Sequence, residues 1–559
     1  MKKYLLVLVS LCCALLPALA EHPEYPELKK SDANIIGHVL DKKTSEHLPY
    51  ITIALKGTTI GTVTDATGHY FLKNLPEGNF MMEVSSVGYK TVTRSVTLKK
   101  GKTLEENFEL EEDAIALDGV VVSANRSETT RRLAPTLVNV VDLKLFETTN
   151  SSTLSQGLNF QPGVRVETNC QNCGFQQVRI NGLDGPYTQI LIDSRPVFSA
   201  LSGVYGLEQI PASMIERVEV MRGGGSALFG SSAIAGTINI ITKEPLRNSG
   251  QLSHTITSIG GSSAFDNNTS LNASLVTDDH RAGLYIFGQN RHRSGYDYDG
   301  DGFTELPKLK NQTVGFRSYL KTSTYSKLTF EYHHMQEFRR GGDMLDRPPH
   351  EAHIAEQLQH SIDGGSLKYD YFSPNEKNRL SVFASAANTD RDSYYGPGND
   401  PLKAYGKTTD LTAMGGVQYV HTFDKCLFMP SDLTAGLEYN RDRLKDNMWG
   451  YDRHTDQTVK VYSAFLQNEW KNKHWGILIG GRLDKHNMVD DVIFSPRANL
   501  RFNPTDNINL RLSYSSGFRA PQAFDEDMHI ENVGGTVAMI ERAKDLKEEK
   551  SQSFSASAD

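Results

Sequence analysis

From about residue 250 onward, apolar and polar side chains alternate one for one. Ile508, Leu510, Leu512 and Tyr514 interleave with Asn509, Arg511, Ser513 and Ser515, and Leu328, Phe330 and Tyr332 with Thr329, Glu331 and His333. A period of two is the period of a β-strand, and about ten such residues cross a bilayer when tilted. In Tyr462–Trp470 the apolar side includes Tyr462, Ala464, Leu466 and Trp470, with aromatics near both ends where an interfacial girdle lies. A soluble sandwich alternates too, so the connections decide. Short polar turns at 277–280, 323–326, 373–378 and 503–506 alternate with long polar loops at 291–311, 335–358, 388–408, 441–457 and 516–549. That asymmetry belongs to bacterial outer-membrane barrels. Residues 250–559 therefore predict a transmembrane antiparallel β-barrel, with about 15 strands by the ten-residue criterion.

Upstream the pattern is different. Residues 33–110 hold short β-rich runs, among them Ile51–Leu55, Gly68–Leu72 and Phe80–Val84, separated by Gly and Pro, which predicts a small β-sandwich. Residues 126–245 predict an α+β domain. Runs such as Ile190–Asp193 read as buried strands, and glycines at 223–225 and 230 permit tight turns. Glu216, Arg217, Glu219 and Arg222 would be costly in an apolar core but suit the polar interior of a barrel, where wall charges can pair with them. The fold class expected is mainly β: sandwich, α+β domain, then barrel.

Composition narrows the class. Lys2-Lys3, an apolar run from Tyr4 to Leu16, and Ala18-Leu19-Ala20 predict a secretory signal peptide at residues 1–20. Neither Cys12 nor Cys13 follows the small residue that a lipoprotein signal requires. No later stretch has the roughly 18 apolar residues of a helical span, and the mean hydropathy is −0.42. A net charge of −8 favours neither nucleic acid nor a polybasic membrane anchor. Of five cysteines, Cys170, Cys173 and Cys426 remain beyond the signal, too few for a disulfide scaffold.

Several motifs carry family resemblances. Ile36-Gly37-His38-Val39, Gly61-Thr62-Val63-Thr64-Asp65, Gly68-His69-Tyr70-Phe71 and Val87-Gly88-Tyr89 resemble the non-catalytic carboxypeptidase-regulatory-like domain. Pro162-Gly163-Val164, Val178–Leu183, Ile190–Asp193, Ile215–Gly223, Ser226–Gly230 and Ala235–Lys243 recur in the order seen in the plug domain of TonB-dependent receptors; Ser194 departs from that family's common Asp-Gly. Residues 115–124 contain Leu117, Asp118, Gly119, Val120, Val121, Val122 and Ser123, which look like a TonB box with Gly119 at the acidic position. An extended segment of this kind can add as a strand to a partner's sheet edge. The resemblance implies a barrel of 22 strands, so the sequence given is expected to be incomplete at its C-terminal side. It also implies Cys170, Gln171, Asn172 and Cys173 in one apical plug loop, and Phe198, Leu201 and Tyr205 in a second, as ligand contacts.

Four further constellations are candidates for chemistry. His333, His334, His350 and His353 fall in and beside one expected external loop, with Met335 and Met344, and could ligate haem iron, copper or zinc. Asp297, Asp299, Asp301 and Glu305 sit like calcium-loop ligands around Gly302, but Lys308 stands where the bidentate Glu belongs. The Cys170–Cys173 pair is open to three readings: local disulfide, inert thiols, or a redox or metal role. Gly517-Phe518-Arg519-Ala520-Pro521, followed by Phe524-Asp525-Glu526-Asp527-Met528-His529, resembles a segment common in receptor barrels; the Asn-Pro-Asn-Leu that accompanies the first part in haem receptors is absent.

His350-Glu351-Ala352-His353 is one residue short of the zinc-protease spacing, and no nucleophile–base arrangement is recognisable, so an enzyme is not expected. The expected function is active uptake of a metal complex across the outer membrane, siderophore-bound iron or haem ahead of cobalamin or another chelate. The expected partner is the TonB–ExbB–ExbD inner-membrane complex, with the N-terminal domain in the periplasm. No cofactor is expected with certainty, calcium being the one candidate. A surface receptor anchored by a barrel is the rival of another class.

Overall fold

The structure is a computed structural model that describes residues 30–559, apart from 66, 87–88, 113–119, 125, 127–128, 197–207, 209, 232, 278, 398–403, 506–507, 524–527, 531–537 and 544. The expected signal peptide, Leu117–Gly119, and the apical residues Phe198, Leu201 and Tyr205 lie outside the described residues.

The N-terminal unit is a β-sandwich. One sheet pairs Lys30–Asp41 with His69–Pro76 in antiparallel fashion and with Thr103–Glu105 and Phe108–Leu110 in parallel; the other runs Gly61–Val63, Thr52–Leu55, Gly78–Ser85, Val92–Leu98. Alternate residues of both sheets, including Ile35, Ile53, Leu72, Val84 and Phe108, meet in one apolar core. The α+β unit is built on a five-stranded sheet in the order Val138–Asp142, Ile215–Arg222, Gly236–Thr242, Thr188–Ile192, Arg195–Pro196. Its strands Ile215–Arg222 and Gly236–Thr242 are buried along almost their whole length, Glu219 and Asn239 included.

The third unit is a meander of fourteen antiparallel strands among the described residues, from Ser249–Ser258 to Glu549–Ala558. Its burial pattern is inverted relative to a soluble protein. In Ile508–Arg519, Ile508, Leu510 and Leu512 are exposed while Asn509 and Arg511 are buried. Leu437, Leu466, Ile479, Leu483 and Phe494 are likewise exposed, against buried Glu438, Gln467, Arg482, Asp484 and Arg497. This is the arrangement of a wall with its apolar face turned to lipid and its polar face to a filled lumen.

Strand length differs from the sequence expectation. Strands of up to 22 residues replace the ten-residue segments, and the described residues hold fourteen of them against about fifteen expected. Ser326–Gly342, Asn378–Pro397 and Met429–Met448 run deep into the expected loops 335–358, 388–408 and 441–457. Above the bilayer a strand no longer needs an apolar face, so the alternation fades while backbone pairing continues.

The three units interlock. The sandwich meets the short-turn end of the barrel, where Thr59 donates through its backbone N–H and its hydroxyl to the Thr324 carbonyl in the turn after Lys308–Ser323. The α+β unit fills the lumen, and charge holds it. Arg126, just ahead of that unit, pairs with Glu438 at 2.5 Å, and Arg482 joins the same carboxylate at 2.7 Å. Arg317 of the wall reaches Asp193 and Glu244, and Lys327 reaches Glu244 at 3.0 Å. Among the charges at 216–222, Arg217 pairs with its own neighbours Glu216 at 2.6 Å and Glu219 at 3.0 Å.

The Arg126–Glu438–Arg482 triad is almost fully buried, so removing its centre takes the carboxylate from Arg126 and leaves Arg482 with Asp484 alone, at 2.8 Å. Glu438→Ala should cost about 3–5 kcal/mol. Lys445→Ala, which breaks an exposed pair with Asp456, should stay within about 0.5 kcal/mol. Thermal unfolding of the detergent-folded protein compares them; equal effects would mean that charge does not hold the plug.

Candidate functional site

Two places in the plug carry features that the fold alone does not require, and they lie at opposite ends of the lumen.

At the long-loop end, the strands Val164–Cys170 and Phe175–Ile180 form a hairpin whose tip is Gln171–Gly174. The tip is wedged against the wall. Gly341 is there because a Cβ at that position would fall 1.9 Å from the Asn172 carbonyl oxygen. Arg339 donates to the Gly174 carbonyl at 3.2 Å. Gln171 remains exposed, Asn172 is half-buried, and Cys173 is fully buried.

Cys170 and Cys173 are both thiols, and each turns toward a partner far away in sequence. Cys170 Sγ lies 3.2 Å from Glu356 Oε2, at the top of the strand Ile354–Phe372. Cys173 Sγ lies 3.4 Å from His529 Nε2, in the connection after Ile508–Arg519, and the same nitrogen is 3.5 Å from Glu356 Oε2. Leu358, Tyr395, Met448 and Ile530 pack around the group, and the Tyr395 ring stands edge-on to His529. The hydrogen bond with Cys173 lowers the Cys170 thiol to about 7, against burial and with help from His529. Burial opposes a charged His529, yet Cys170 and Glu356 outweigh it and raise the imidazole to about 10.

Glu356 and His529 were not legible in the sequence as partners. They stand 186 and 356 residues from the cysteines they face, and the receptor-like segment that ends at His529 gives no sign of which residues that histidine meets. The only usable signal was that a Cys-x-x-Cys pair offers just two of the four donors of a closed site.

At the opposite end lies the described part of the box. Val120–Val121 pair with Thr129–Thr130, and Val121 is buried. Glu219, fully buried in the central plug strand, accepts three hydrogen bonds through one oxygen: from the Val122 N–H at 2.9 Å, the Ser123 N–H at 2.8 Å and the Ser123 hydroxyl at 2.8 Å. Asn239 donates to the same hydroxyl at 2.9 Å. Beyond Ser123 the backbone is gripped by wall arginines, Arg497 on the Ala124 carbonyl and Arg511 on the Arg131 and Ala134 carbonyls.

The four expected histidines do not gather. His333 and His334 lie inside the strand Ser326–Gly342 and, being consecutive, face opposite sides of the wall. His334 bonds Asp363 on one side, while His333 packs over Gly364 on the other. His350 bonds the Tyr405 hydroxyl, and His353 bonds Asp343. Strand continuation through the expected loop is what separates them. Of the acidic loop, Asp297, Asp299 and Glu305 bring carboxylate oxygens within 4.8 Å of one another. Asp301 stands outside that group and accepts instead from the Phe303 N–H. The backbone of Phe518 bonds Ser226 and that of Ala520 bonds Ser231, so the Gly517–Pro521 segment docks the barrel onto the plug.

Family models match this architecture unit by unit: a CarboxypepD_reg-like domain over residues 35–122, a TonB-dependent receptor plug domain over 130–237, and a TonB-dependent receptor-like β-barrel over 239–559. The chain belongs to the TonB-dependent receptors. Among its curated relatives are the vitamin B12 transporter BtuB of Vibrio vulnificus, 24% identical over 73% of this chain and 64% of the relative, and the ferric enterobactin receptor of Pseudomonas aeruginosa, 23% identical over 72% and 61%. The chain thus spans less than two thirds of the length of these relatives. Solved structures of the same fold include the siderophore receptor PirA from Acinetobacter baumannii, with TM-score 0.64 at 19% identity over 75% of this chain and 68% of that one. PirA from Pseudomonas aeruginosa gives 0.60 at 17% over 75% and 71%.

Near the apex the plug is fastened through Glu208, which faces Arg339 at 2.8 Å, Arg291 at 3.3 Å and Arg293 at 3.4 Å. Burial alone would raise this carboxyl, but the three guanidinium groups outweigh it and hold it at about 2. A folded value below the ordinary one means that its stabilisation is complete above about pH 4.5 and is lost as pH falls toward about 2. Protease access to the plug should therefore rise across that interval, and Glu208→Gln should flatten the rise. An unchanged profile in the variant would remove Glu208 as the acid-sensitive fastening.

Proposed function

We propose that this receptor imports a metal-bearing ligand across the outer membrane by energy-coupled transport. Loops and plug apex receive the ligand on the outside, and the TonB–ExbB–ExbD complex pulls from the periplasm on residues 117–123. The barrel spans the membrane, with the sandwich on the periplasmic side. A siderophore-bound iron or a haem is favoured as ligand over cobalamin or another chelate. Relatives named for vitamin B12 and ferric enterobactin support the metal-bearing class.

The observation that carries this reading is the Glu219 anchorage. A segment built to be grasped as an added strand is held by three hydrogen bonds to one buried carboxylate, in the same sheet whose other loops lead to the apex. Hydrogen bonds to a buried charge are strong but localised, so a shift of that strand releases the segment as a unit. Transport of this kind needs bound and free states that differ in the accessibility of the pulled segment, and Glu219 supplies a place for the difference.

Deletion of 117–123 should abolish uptake of the cognate ligand by whole cells while leaving its binding to the purified receptor unchanged. Glu219→Ala should expose Val120–Ala124 to proteolysis without ligand. Uptake that survives the deletion would sink the coupling assignment; a segment still protected in Glu219→Ala would sink the anchorage.

A further inference from the structure

We propose that Cys170, Cys173, Glu356 and His529 form a four-donor site for a zinc-class divalent cation, linking the plug apex to the barrel wall and to the connection that follows Ile508–Arg519. The proposal goes beyond uptake of a preformed complex, because here the protein itself supplies every donor.

Geometry comes first. One donor atom from each residue lies within 4.8 Å of all the others. Three contacts between them measure 3.2, 3.4 and 3.5 Å. With zinc–sulfur bonds of about 2.3 Å and zinc–nitrogen or zinc–oxygen bonds of about 2.0 Å, the edges of a tetrahedron run about 3.3–3.8 Å. The three measured edges already lie close to that range, and the others must close from at most 4.8 Å. The Cys173 N–H already points to Cys170 Sγ at 3.4 Å, the turn by which a Cys-x-x-Cys segment presents both sulfurs to one point.

Donor chemistry selects the ion. Two thiolates exclude calcium and magnesium, which take oxygen, while a carboxylate is a poor partner for copper(I), which selects sulfur. Zinc accepts thiolate, imidazole and carboxylate together in a closed tetrahedral set. The apolar shell of Leu358, Tyr395, Met448 and Ile530 keeps competing water away. Arg339 on the Gly174 carbonyl and Arg453 on the Met528 carbonyl hold the backbone on either side of the donors.

The donors come from three elements: the plug hairpin, a wall strand and an external connection. An ion here is bound to all three at once, so occupancy fixes His529 to the apex and the apex against the wall. A disulfide between Cys170 and Cys173 would abolish the site, since it consumes both thiolates.

The test is cobalt substitution on the whole detergent-folded receptor, reduced and then freed of reductant. One Co²⁺ per chain should produce thiolate-to-cobalt charge transfer in the near ultraviolet and tetrahedral ligand-field bands in the red, and zinc should displace it. Cys170→Ser with Cys173→Ser should lose the charge-transfer band. His529→Ala and Glu356→Gln, which keep both sulfurs, should alter the ligand-field bands and weaken binding. Zinc should raise the unfolding temperature of the wild type but not of the variants, which checks that each variant is folded. Absence of a charge-transfer band in the reduced wild type overturns the site, as does a ligand-field spectrum unchanged in both His529→Ala and Glu356→Gln.

Discussion

Everything in this molecule follows from turning a sheet inside out. Once Leu510, Leu512, Leu437 and Ile479 face lipid, the opposite side of each strand must hold polar groups, and those groups cannot be left dry and unpaired. The plug answers that requirement. Its own acids meet wall arginines, Glu208 with Arg291, Arg293 and Arg339, and Asp193 with Arg317. Its backbone carbonyls meet others, as at Leu228, bonded by Arg482.

A plug held this way is docked mainly through charge and hydrogen bonds, with Tyr285 and Phe287 the wall residues that join its apolar core. Charged and hydrogen-bonded contacts are discrete, so groups of them can exchange one at a time, whereas an apolar core separates only as a whole. The contrast shows inside the plug itself. Its sheet is cemented by Ile190, Val218, Val220, Ile238 and Ile240, while its attachment to the segment ahead of it is polar and its attachments to the wall are largely so. The sheet is thus the rigid body, and its attachments are the places where motion can occur.

The apex and the anchorage are joined by that rigid body. The hairpin bearing Cys170 and Cys173 packs through Val164, Val178 and Ile180 into the same core as the strand bearing Glu219. A ligand that shifts the hairpin has a mechanical route to the opposite end of the lumen, and the bond from Glu219 to the Val122 and Ser123 backbone is where the route ends.

Much of this was written into the order of residues. Alternation over Ile508–Ser515, the glycine-punctuated runs of 33–110 and the ordered plug motifs are local patterns, governed by backbone period and turn chemistry, and they determined the three units and the family. Strand ends were not legible, because polar residues above the bilayer remain paired without any change of pattern. Nor was the company each side chain keeps. Adjacent numbering made His333 and His334 look like a cluster, and the two-residue period of a strand sends them to opposite faces. Distance in sequence hid Glu356 and His529 from the cysteines, because only the packing of plug against wall brings the four together. Local interactions decide what each segment becomes; only the tertiary fold decides which segments share a donor sphere.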